Sequence, residues 1–183
     1  MRDLRELSKQ YAEKLKKIKC VAFDVDGILT NGQVAWDGEE LGWNRSTNTA
    51  DGYMLRYLMS AGFTVGVITG GDSLSVHKRF SENLKLNFVH SGNDDKRSHF
   101  KKVLALGFKP EEVLFMGDEF IDLPILKVVG FSASVPEASI EIRESVDYVT
   151  ERHGGMGAAR EVMDLLRHAH GLVPDVEHFG DEL

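Results

Sequence analysis

The stretch "VAFDVDGILTNG" (21–32) brings two carboxylates to the end of a predicted buried β-strand. Apolar residues lead directly to Asp24, Asp26 follows two positions later, and Gly27 comes next. Carboxylates are seldom buried without a partner, so this placement needs a reason other than folding. In an open parallel sheet, ligands bind at the carboxyl ends of the strands. The stretch therefore predicts a functional site at the end of a central strand.

Short β-rich runs alternate with helical stretches along the rest of the chain. We predict strands over 20–24, 63–69, 87–90, 112–118, 130–135 and 147–150. Apolar periodicity predicts helices within 1–19 and over about 51–60, 73–84, 96–106, 120–128 and 157–170. Alternation of this kind, with nearly continuous apolar strands, predicts an α/β fold with a doubly wound parallel (Rossmann-like) sheet.

One segment interrupts this alternation. In "NGQVAWDGEELGWNRS" (31–46), Asp37-Gly38 lies between two short strand-like pieces, which predicts a projecting β-hairpin over 33–42. Between Thr30 and Thr69 there are 38 residues, and the gaps between predicted site residues leave no room for a separate cap domain. We predict one domain over 1–171, followed by a flexible acidic tail over 172–183.

The bulk composition limits the classes of partner. The chain has 183 residues and a formal net charge of −7, which argues against nucleic acid or an anionic membrane as its main partner. Cys20 is the only cysteine, so no intrachain disulfide is expected. No apolar run approaches the roughly 20 residues of a membrane span. We expect a cytoplasmic protein that acts on a small molecule.

The predicted strand ends carry a set of residues that suits phosphoryl transfer. They are Asp24 and Asp26, then Thr69 and Gly70, then Gly117, Asp118 and Glu119, with Lys96 beginning the helix after the third strand. Several carboxylates in one cleft repel one another unless a cation is bound, and all-oxygen ligands favour Mg²⁺. A lysine and a hydroxyl beside them suit a phosphoryl group.

These residues resemble the motifs of the haloacid dehalogenase superfamily, in the same order. "DVDGILT" (24–30) is similar to the first motif, Thr69-Gly70 to the second and Lys96 to the third. Gly117-Asp118-Glu119, together with Asp122, is similar to the fourth. The resemblance covers about residues 20–165.

The resemblance implies a role for each motif residue. Asp24 would be the nucleophile that forms an aspartyl-phosphate, and Asp26 would act as general acid and then general base. Thr69 and Lys96 would hold the oxygens of the transferring group. Mg²⁺ would be bound by Asp24, by the backbone carbonyl of Asp26 and by Asp118.

Two further carboxylates would support these ligands from behind. Asp122 would orient Lys96 or a water on the metal, and Glu119 would act in the same region. Glu119 is a departure, because the superfamily usually has a second aspartate at this position.

Further segments are similar to one capless branch, the 3-deoxy-D-manno-octulosonate 8-phosphate phosphatases and their nonulosonate relatives. The matching segments are 39–41, 48–55, 68–73, 92–96 and 147–162. The resemblance implies an Mg²⁺-dependent homotetramer in lipopolysaccharide precursor synthesis, with hairpins meeting at its centre. It also implies a phosphorylated sugar acid as substrate. Nonulosonate 9-phosphates, or a non-catalytic oligomeric scaffold, remain alternatives at this point.

The substrate-binding residues are predicted less directly. The candidates are Thr30, Arg45, Asn48, Asp51, Gly70, Gly71 and Arg152. In the branch, arginine usually follows the Thr-Gly pair and also precedes Asp-Gly; this chain has Gly71 and Ala50 there. The loop over 42–48 is about three residues longer, and its Arg45 is a candidate for the missing cation.

Overall fold

The computed structural model describes residues 2–174 and is built on a six-stranded parallel sheet. In chain order the strands are β1 (Cys20–Phe23), β2 (Ala35–Trp36), β3 (Trp43–Asn44), β4 (Thr64–Ile68), β5 (Phe88–His90), β6 (Val113–Met116), β7 (Phe131–Ser134) and β8 (Tyr148–Val149). β2 and β3 form a separate antiparallel pair, and the main sheet has the order β5-β4-β1-β6-β7-β8. The predicted parallel α/β sheet is confirmed.

Nine α-helices lie within residues 2–174, and several of them contact one another in two groups. They are α1 (Leu4–Gln10), α2 (Ala12–Leu15), α3 (Gly38–Leu41), α4 (Thr49–Ser60), α5 (Leu74–Val76), α6 (Lys96–Leu104), α7 (Leu123–Leu126), α8 (Ile140–Arg143) and α9 (Ala158–Ala169). Within one group α1, α2 and α4 contact α9, and in the other α6 contacts α7. Within residues 2–174, none of the helices has the length and apolar character that a membrane crossing requires.

Two predicted helices are interrupted. The first 19 residues form α1 and α2, which break at Tyr11, because its ring packs edge-on against Phe131 and Tyr148 in the core. The helix predicted over 73–84 consists of α5 and irregular helical turns over His77–Asn83. Of the predicted acidic tail, residues 175–183 lie outside the described residues.

The hairpin is present but its connection is longer than a two-residue turn. β2 pairs with β3 so that Trp36 lies opposite Trp43, with their rings edge-to-face at 5.3 Å. The connection runs from Asp37 to Gly42 and contains the single helical turn α3, and the Asp37 N–H donates to the Gly42 carbonyl at 3.0 Å. The second strand therefore lies just beyond the predicted range of 33–42.

The order of the strands determines where a ligand can bind. After β1 the chain builds β4 and β5 on one side, and it then returns to the other side to build β6, β7 and β8. β1 and β6 are therefore the neighbouring strands at which the winding reverses. Ligands bind in the crevice at the carboxyl ends of the strands at such a point. Asp24 follows β1 and Asp118 follows β6 at this crevice.

A buried carboxylate holds the segment after β8 against α9. Glu161 of α9 is 1% exposed and accepts hydrogen bonds from the Tyr148 hydroxyl at 2.6 Å and from the N–H groups of Glu151 and Arg152 at 2.9 and 3.0 Å. These bonds fix the start of the glycine-rich stretch that packs on the loop after β1.

Glu161→Ala should lower the free energy of unfolding by about 3 kcal/mol, because it leaves buried donors without an acceptor. Urea denaturation would measure this loss, and Glu141→Ala, at an exposed carboxylate of α8, is the matched control with an expected change within about 0.5 kcal/mol. Equal midpoints for the two variants would contradict the anchoring role.

Candidate active site

The loop after β1 brings two aspartates from neighbouring strands together. Asp24 is 4% exposed, and its N–H donates to the Met116 carbonyl at the end of β6 at 2.9 Å. Gly27 has a φ of 91°, and a Cβ atom at this position would lie 2.1 Å from Oδ2 of Asp118. Only glycine therefore gives both the turn and the room that Asp118 needs beside the loop.

Three carboxylates converge at this point. Oxygen atoms of Asp24, Asp118 and Asp122 all lie within 4.8 Å of one another. Oδ1 of Asp118 is buried and makes no hydrogen bond within the described part of the chain. Burial of a charged group without a partner is costly, so this oxygen needs a cation or a proton.

The pKa values of the cluster also indicate a site for a cation. Burial raises the pKa of Asp118 to about 8, and repulsion from Asp24, Asp122 and Glu119 adds to the shift. Burial and repulsion from Asp122 raise the pKa of Asp24 to about 7, although Lys96 opposes the shift. A hard divalent cation would relieve both effects, and the all-oxygen donor set fits Mg²⁺.

Lys96, the first residue of α6, supplies the positive charge of the site. It is 1% exposed, and its Nζ lies 2.7 Å from Oδ1 of Asp24 and 2.7 Å from Oδ1 of Asp122. Burial lowers the pKa of Lys96, but the attraction of the two carboxylates outweighs it and raises the pKa above its usual value. Lys96 is therefore a fixed cation that orients the carboxylate of Asp24.

Asp122 organises the loop after β6. Its Oδ2 accepts the N–H groups of Asp118 and Glu119 at 3.1 Å each. It packs under Gly117, where a Cβ atom would lie 2.5 Å from the Asp122 carboxyl carbon. Glu119 is exposed, so this departure from the superfamily pattern lies at the surface of the cluster.

The loop after β4 lies next to the loop after β1. Thr69 is 1% exposed, its N–H donates to the His90 carbonyl, and its Oγ1 accepts the Gly71 N–H at 3.2 Å. Gly70 packs against Asp94, whose Oδ1 would lie 2.5 Å from a Cβ atom there. The residues predicted as catalytic thus gather at one edge of the sheet.

Asp26 is held by a cation that comes from the hairpin side. Arg45 donates from Nε to Oδ1 of Asp26 at 2.6 Å and from Nη2 to Oδ2 at 3.0 Å. Thr30 also donates to Oδ1 of Asp26, at 3.4 Å, and its hydroxyl is buried against the Val25 carbonyl. The longer loop over 42–48 therefore does bring Arg45 to the site.

The other predicted substrate-binding residues make contacts within the protein. Asn48 begins α4 by accepting the Ala50 N–H at 2.8 Å. Asp51 is 2% exposed and accepts the N–H of Arg160 in the first turn of α9 at 2.7 Å. Burial raises the pKa of Asp51 to about 6, against the opposing effects of the Arg160 N–H and of Arg152. Substrate binding by Asn48, Asp51 and Arg152 stays a prediction.

The structure adds contacts that sequence reasoning missed. A Cβ atom at Gly154 would lie 1.8 Å from the Gly27 carbonyl oxygen, and the Gly155 N–H donates to the Ile28 carbonyl at 2.9 Å. The two glycines thus pack directly on the loop after β1. The only signal in the sequence was the stretch "RHGGMG" (152–157), which suggested a family signature but not this packing.

Replacing a carboxylate of the cluster should change the pH dependence of stability. In the folded state Asp24 and Asp118 have pKa values near 7 and 8, whereas an unfolded aspartate has about 3.9. Without metal, the folded state binds more protons between these limits, so its stability falls as pH rises from about 4 to 8. Asp118→Asn should remove part of this fall and be more stable than wild type at pH 8 by roughly 1–3 kcal/mol.

Thermal unfolding in EDTA and in Mg²⁺ at several pH values would measure the effect, with Glu141→Gln, at an exposed carboxylate of α8, as the control. Mg²⁺ should stabilise wild type at pH 8 and stabilise Asp118→Asn much less. Equal stabilisation of both proteins by Mg²⁺ would exclude Asp118 as a ligand.

Comparison with known proteins agrees with the motif order. A model of the haloacid dehalogenase-like hydrolases matches residues 80–162. The 3-deoxy-D-manno-octulosonate 8-phosphate phosphatase KdsC of Haemophilus influenzae is 36% identical over 163 residues, 87% of this chain and 88% of that protein. KdsC of Escherichia coli K12 is 35% identical over 167 residues, 90% of this chain and 87% of that protein.

Solved structures agree with the fold. The 3-deoxy-D-manno-octulosonate 8-phosphate phosphatase of Moraxella catarrhalis, in complex with a magnesium ion, a phosphate ion and a KDO molecule, has a TM-score of 0.82. It is 33% identical over 88% of this chain and 92% of that chain. The corresponding enzyme of Yersinia pestis has a TM-score of 0.83 at 31% identity, over 88% and 86% of the two chains. This chain therefore belongs to the 3-deoxy-D-manno-octulosonate 8-phosphate phosphatase family of haloacid dehalogenase-like hydrolases.

Proposed function

We propose that this protein hydrolyses 3-deoxy-D-manno-octulosonate 8-phosphate to the free sugar acid and phosphate. The observation that carries the chemistry is the buried Lys96, which bridges Asp24 and Asp122 beside Asp118, whose Oδ1 has no hydrogen-bond partner among residues 2–174. The substrate follows from family membership and from the relatives that the chain matches over most of its length. This activity would make the protein a phosphoric monoester hydrolase of lipopolysaccharide precursor synthesis.

The residues divide the reaction into two displacements. The Asp24 carboxylate attacks phosphorus, the bond between phosphorus and the sugar oxygen breaks, and an aspartyl-phosphate forms. Asp26 gives a proton to the leaving oxygen and takes one from the water that then cleaves the aspartyl-phosphate. Phosphate leaves and Asp24 is restored. Lys96 keeps Asp24 in one orientation throughout the reaction. The attack on phosphorus therefore loses less conformational entropy.

Mg²⁺ fits this site and would be held by Asp24, Asp118 and the backbone carbonyl of Asp26. When bound, it supplies positive charge that lets an anionic phosphate approach the carboxylates. Lys96 and the hydroxyl of Thr69 are placed to hold oxygens of the transferring group. Because charge on these oxygens grows toward the transition state, fixed donors stabilise it more than the ground state.

The other candidate functions have less support. The comparisons do not favour a nonulosonate 9-phosphate as substrate over the octulosonate. An inactive scaffold would not need Asp24, Lys96 and Asp122 to be buried together at the carboxyl ends of the strands, since burying charged groups costs free energy that folding alone does not require.

We also propose that the protein is a homotetramer assembled through its hairpin. Four large apolar side chains of this region, Val34, Trp36, Leu41 and Trp43, are each about half exposed. Apolar groups that cluster on a projecting element are typical of an interface, and symmetric homo-oligomers are common. A cytoplasmic location stays a prediction from the sequence.

The first test is phosphate release with Mg²⁺ from octulosonate 8-phosphate, two nonulosonate 9-phosphates and glucose 6-phosphate. We expect kcat/KM for the octulosonate to exceed the others by about 100-fold, or ~3 kcal/mol of transition-state discrimination. Asp24→Asn should abolish turnover with an unchanged circular dichroism spectrum. A preference for a 9-phosphate would replace the proposed substrate, and retained activity in Asp24→Asn would exclude the mechanism.

The oligomer is tested by sedimentation velocity. Trp43→Glu should convert tetramers to smaller species, because it places a charge in the apolar contact. Leu106→Glu replaces an equally exposed apolar residue at the end of α6 and should leave the tetramer intact. A monomeric wild type, or dissociation by both variants alike, would contradict the hairpin interface.

A further inference from the structure

Arg45 holds Asp26 more firmly than an exposed ion pair would. The Arg45 side chain is 6% exposed, whereas that of Asp26 is 32% exposed. Two parallel hydrogen bonds join the guanidinium to both oxygens of the carboxylate. The remaining amino group, Nη1, donates to the hydroxyls of Ser73 and Ser75. Such two-point pairing is directional and stronger than a single contact.

The backbone around this pair leaves room for it. A Cβ atom at Gly71 would lie 3.1 Å from Oδ2 of Asp26 and 3.4 Å from Nη2 of Arg45. A side chain at this position would push the two partners by a few tenths of an ångström and crowd the pair. Gly71 therefore accommodates the pair, and the cation near Asp26 comes from Arg45 in the loop before α4.

A cavity of about 370 Å³ lies on the other side of Arg45. It is bounded by the hairpin side of the molecule and by the segment from α5 to Asn83, and its cationic side chains are Arg45, Lys78 and Arg79, of which Lys78 is paired with Glu82 at 2.8 Å. Among the described residues that line it, none is acidic, although the whole chain carries a net charge of −7. The Nε of Arg79 is buried and has no hydrogen-bond partner in the described part of the chain. The cavity therefore suits an organic anion.

We propose that Arg45 is a specificity-determining latch for acidic substrates. In the free enzyme its guanidinium pairs with Asp26. A substrate carboxylate that enters the cavity takes over the guanidinium, and Asp26 then takes up a proton from solvent and turns toward the leaving oxygen. The proposal rests on the proposed function, because only a phosphorylated sugar acid carries both the phosphate and the carboxylate.

The exchange keeps the buried charge of Arg45 paired with a carboxylate. One carboxylate replaces another on the same guanidinium, so no buried cation is left without a partner. A substrate without a carboxylate cannot replace Asp26 on the guanidinium of Arg45, so Asp26 stays paired. Binding energy of a remote group would thus be used to place a catalytic residue, which raises kcat rather than merely lowering KM.

Kinetics of Arg45→Met with octulosonate 8-phosphate and glucose 6-phosphate test the latch. In wild type we expect kcat for the sugar acid to exceed that for glucose 6-phosphate by about 10- to 100-fold. In Arg45→Met this ratio should fall to about 1, because kcat for glucose 6-phosphate rises as Asp26 is released, whereas the sugar acid keeps its kcat and shows a higher KM. Arg45→Lys, which keeps the charge without the two-point contact, should give an intermediate ratio.

Three results would contradict the latch, and a fourth would contradict the proposed function. An equal loss of kcat for both esters in Arg45→Met would show that Arg45 only supports the structure, and an unchanged ratio would show that it does not select substrates. Equal kcat values for both esters in wild type would also overturn the latch. This result would not contradict the proposed phosphatase activity. Failure of wild type to hydrolyse the octulosonate would instead overturn the proposed function.

A second measurement does not depend on turnover. In a crystal structure of Asp24→Asn with octulosonate 8-phosphate, Arg45 should pair with the sugar carboxylate and be separated from Asp26. An intact pair between Arg45 and Asp26 with the carboxylate bound elsewhere would exclude the exchange.

Discussion

The bridge from Lys96 to Asp24 and Asp122 is the interaction on which the rest of the site depends. Three carboxylates within 4.8 Å of one another would repel strongly in a buried crevice, and the ammonium group of Lys96 contacts two of them. Because Lys96 is the first residue of α6, the position of that helix determines the orientation of Asp24. Asp122 in turn fixes the loop after β6 through two backbone N–H groups. The site and the packing of the second helix group are therefore one structural unit.

The bridge balances only part of the negative charge. Asp118 retains a buried oxygen that no other group of residues 2–174 pairs with, and burial together with its acidic neighbours raises the pKa of Asp118 to about 8. An environment this unfavourable to a carboxylate is characteristic of a site that receives a cation. The fold maintains it with glycines: Gly27 admits Asp118, Gly117 admits Asp122, and Gly154 packs on the Gly27 carbonyl. Each of these close contacts would be blocked by a side chain, so the glycines are part of the site.

The pair between Arg45 and Asp26 differs from this central bridge in its position and its burial. It lies toward the hairpin and one of its partners is a third exposed, so it can exchange with a ligand more easily than Lys96 can. The longer loop before α4 supplies this cation at the place where Gly71 has no side chain. The central bridge thus holds the residues that react with phosphorus, and the outer pair is placed to respond to the rest of the substrate.

The sequence by itself determined the chain order of the strands in the main sheet and the residues at the strand ends. Apolar runs that lead into Asp24, Thr69 and Asp118 were enough, because the carboxyl ends of parallel strands meet at one edge of a sheet. It did not determine the contact of Arg45 with Asp26, since a loop without periodicity does not indicate where its side chains point. Asp51 of α4 lies in a segment that is similar to the family and was predicted to bind substrate. The tertiary structure buries its carboxylate against the first turn of α9 instead. Those contacts join segments far apart in the chain, and only the packing of the folded protein brings them within hydrogen-bond distance.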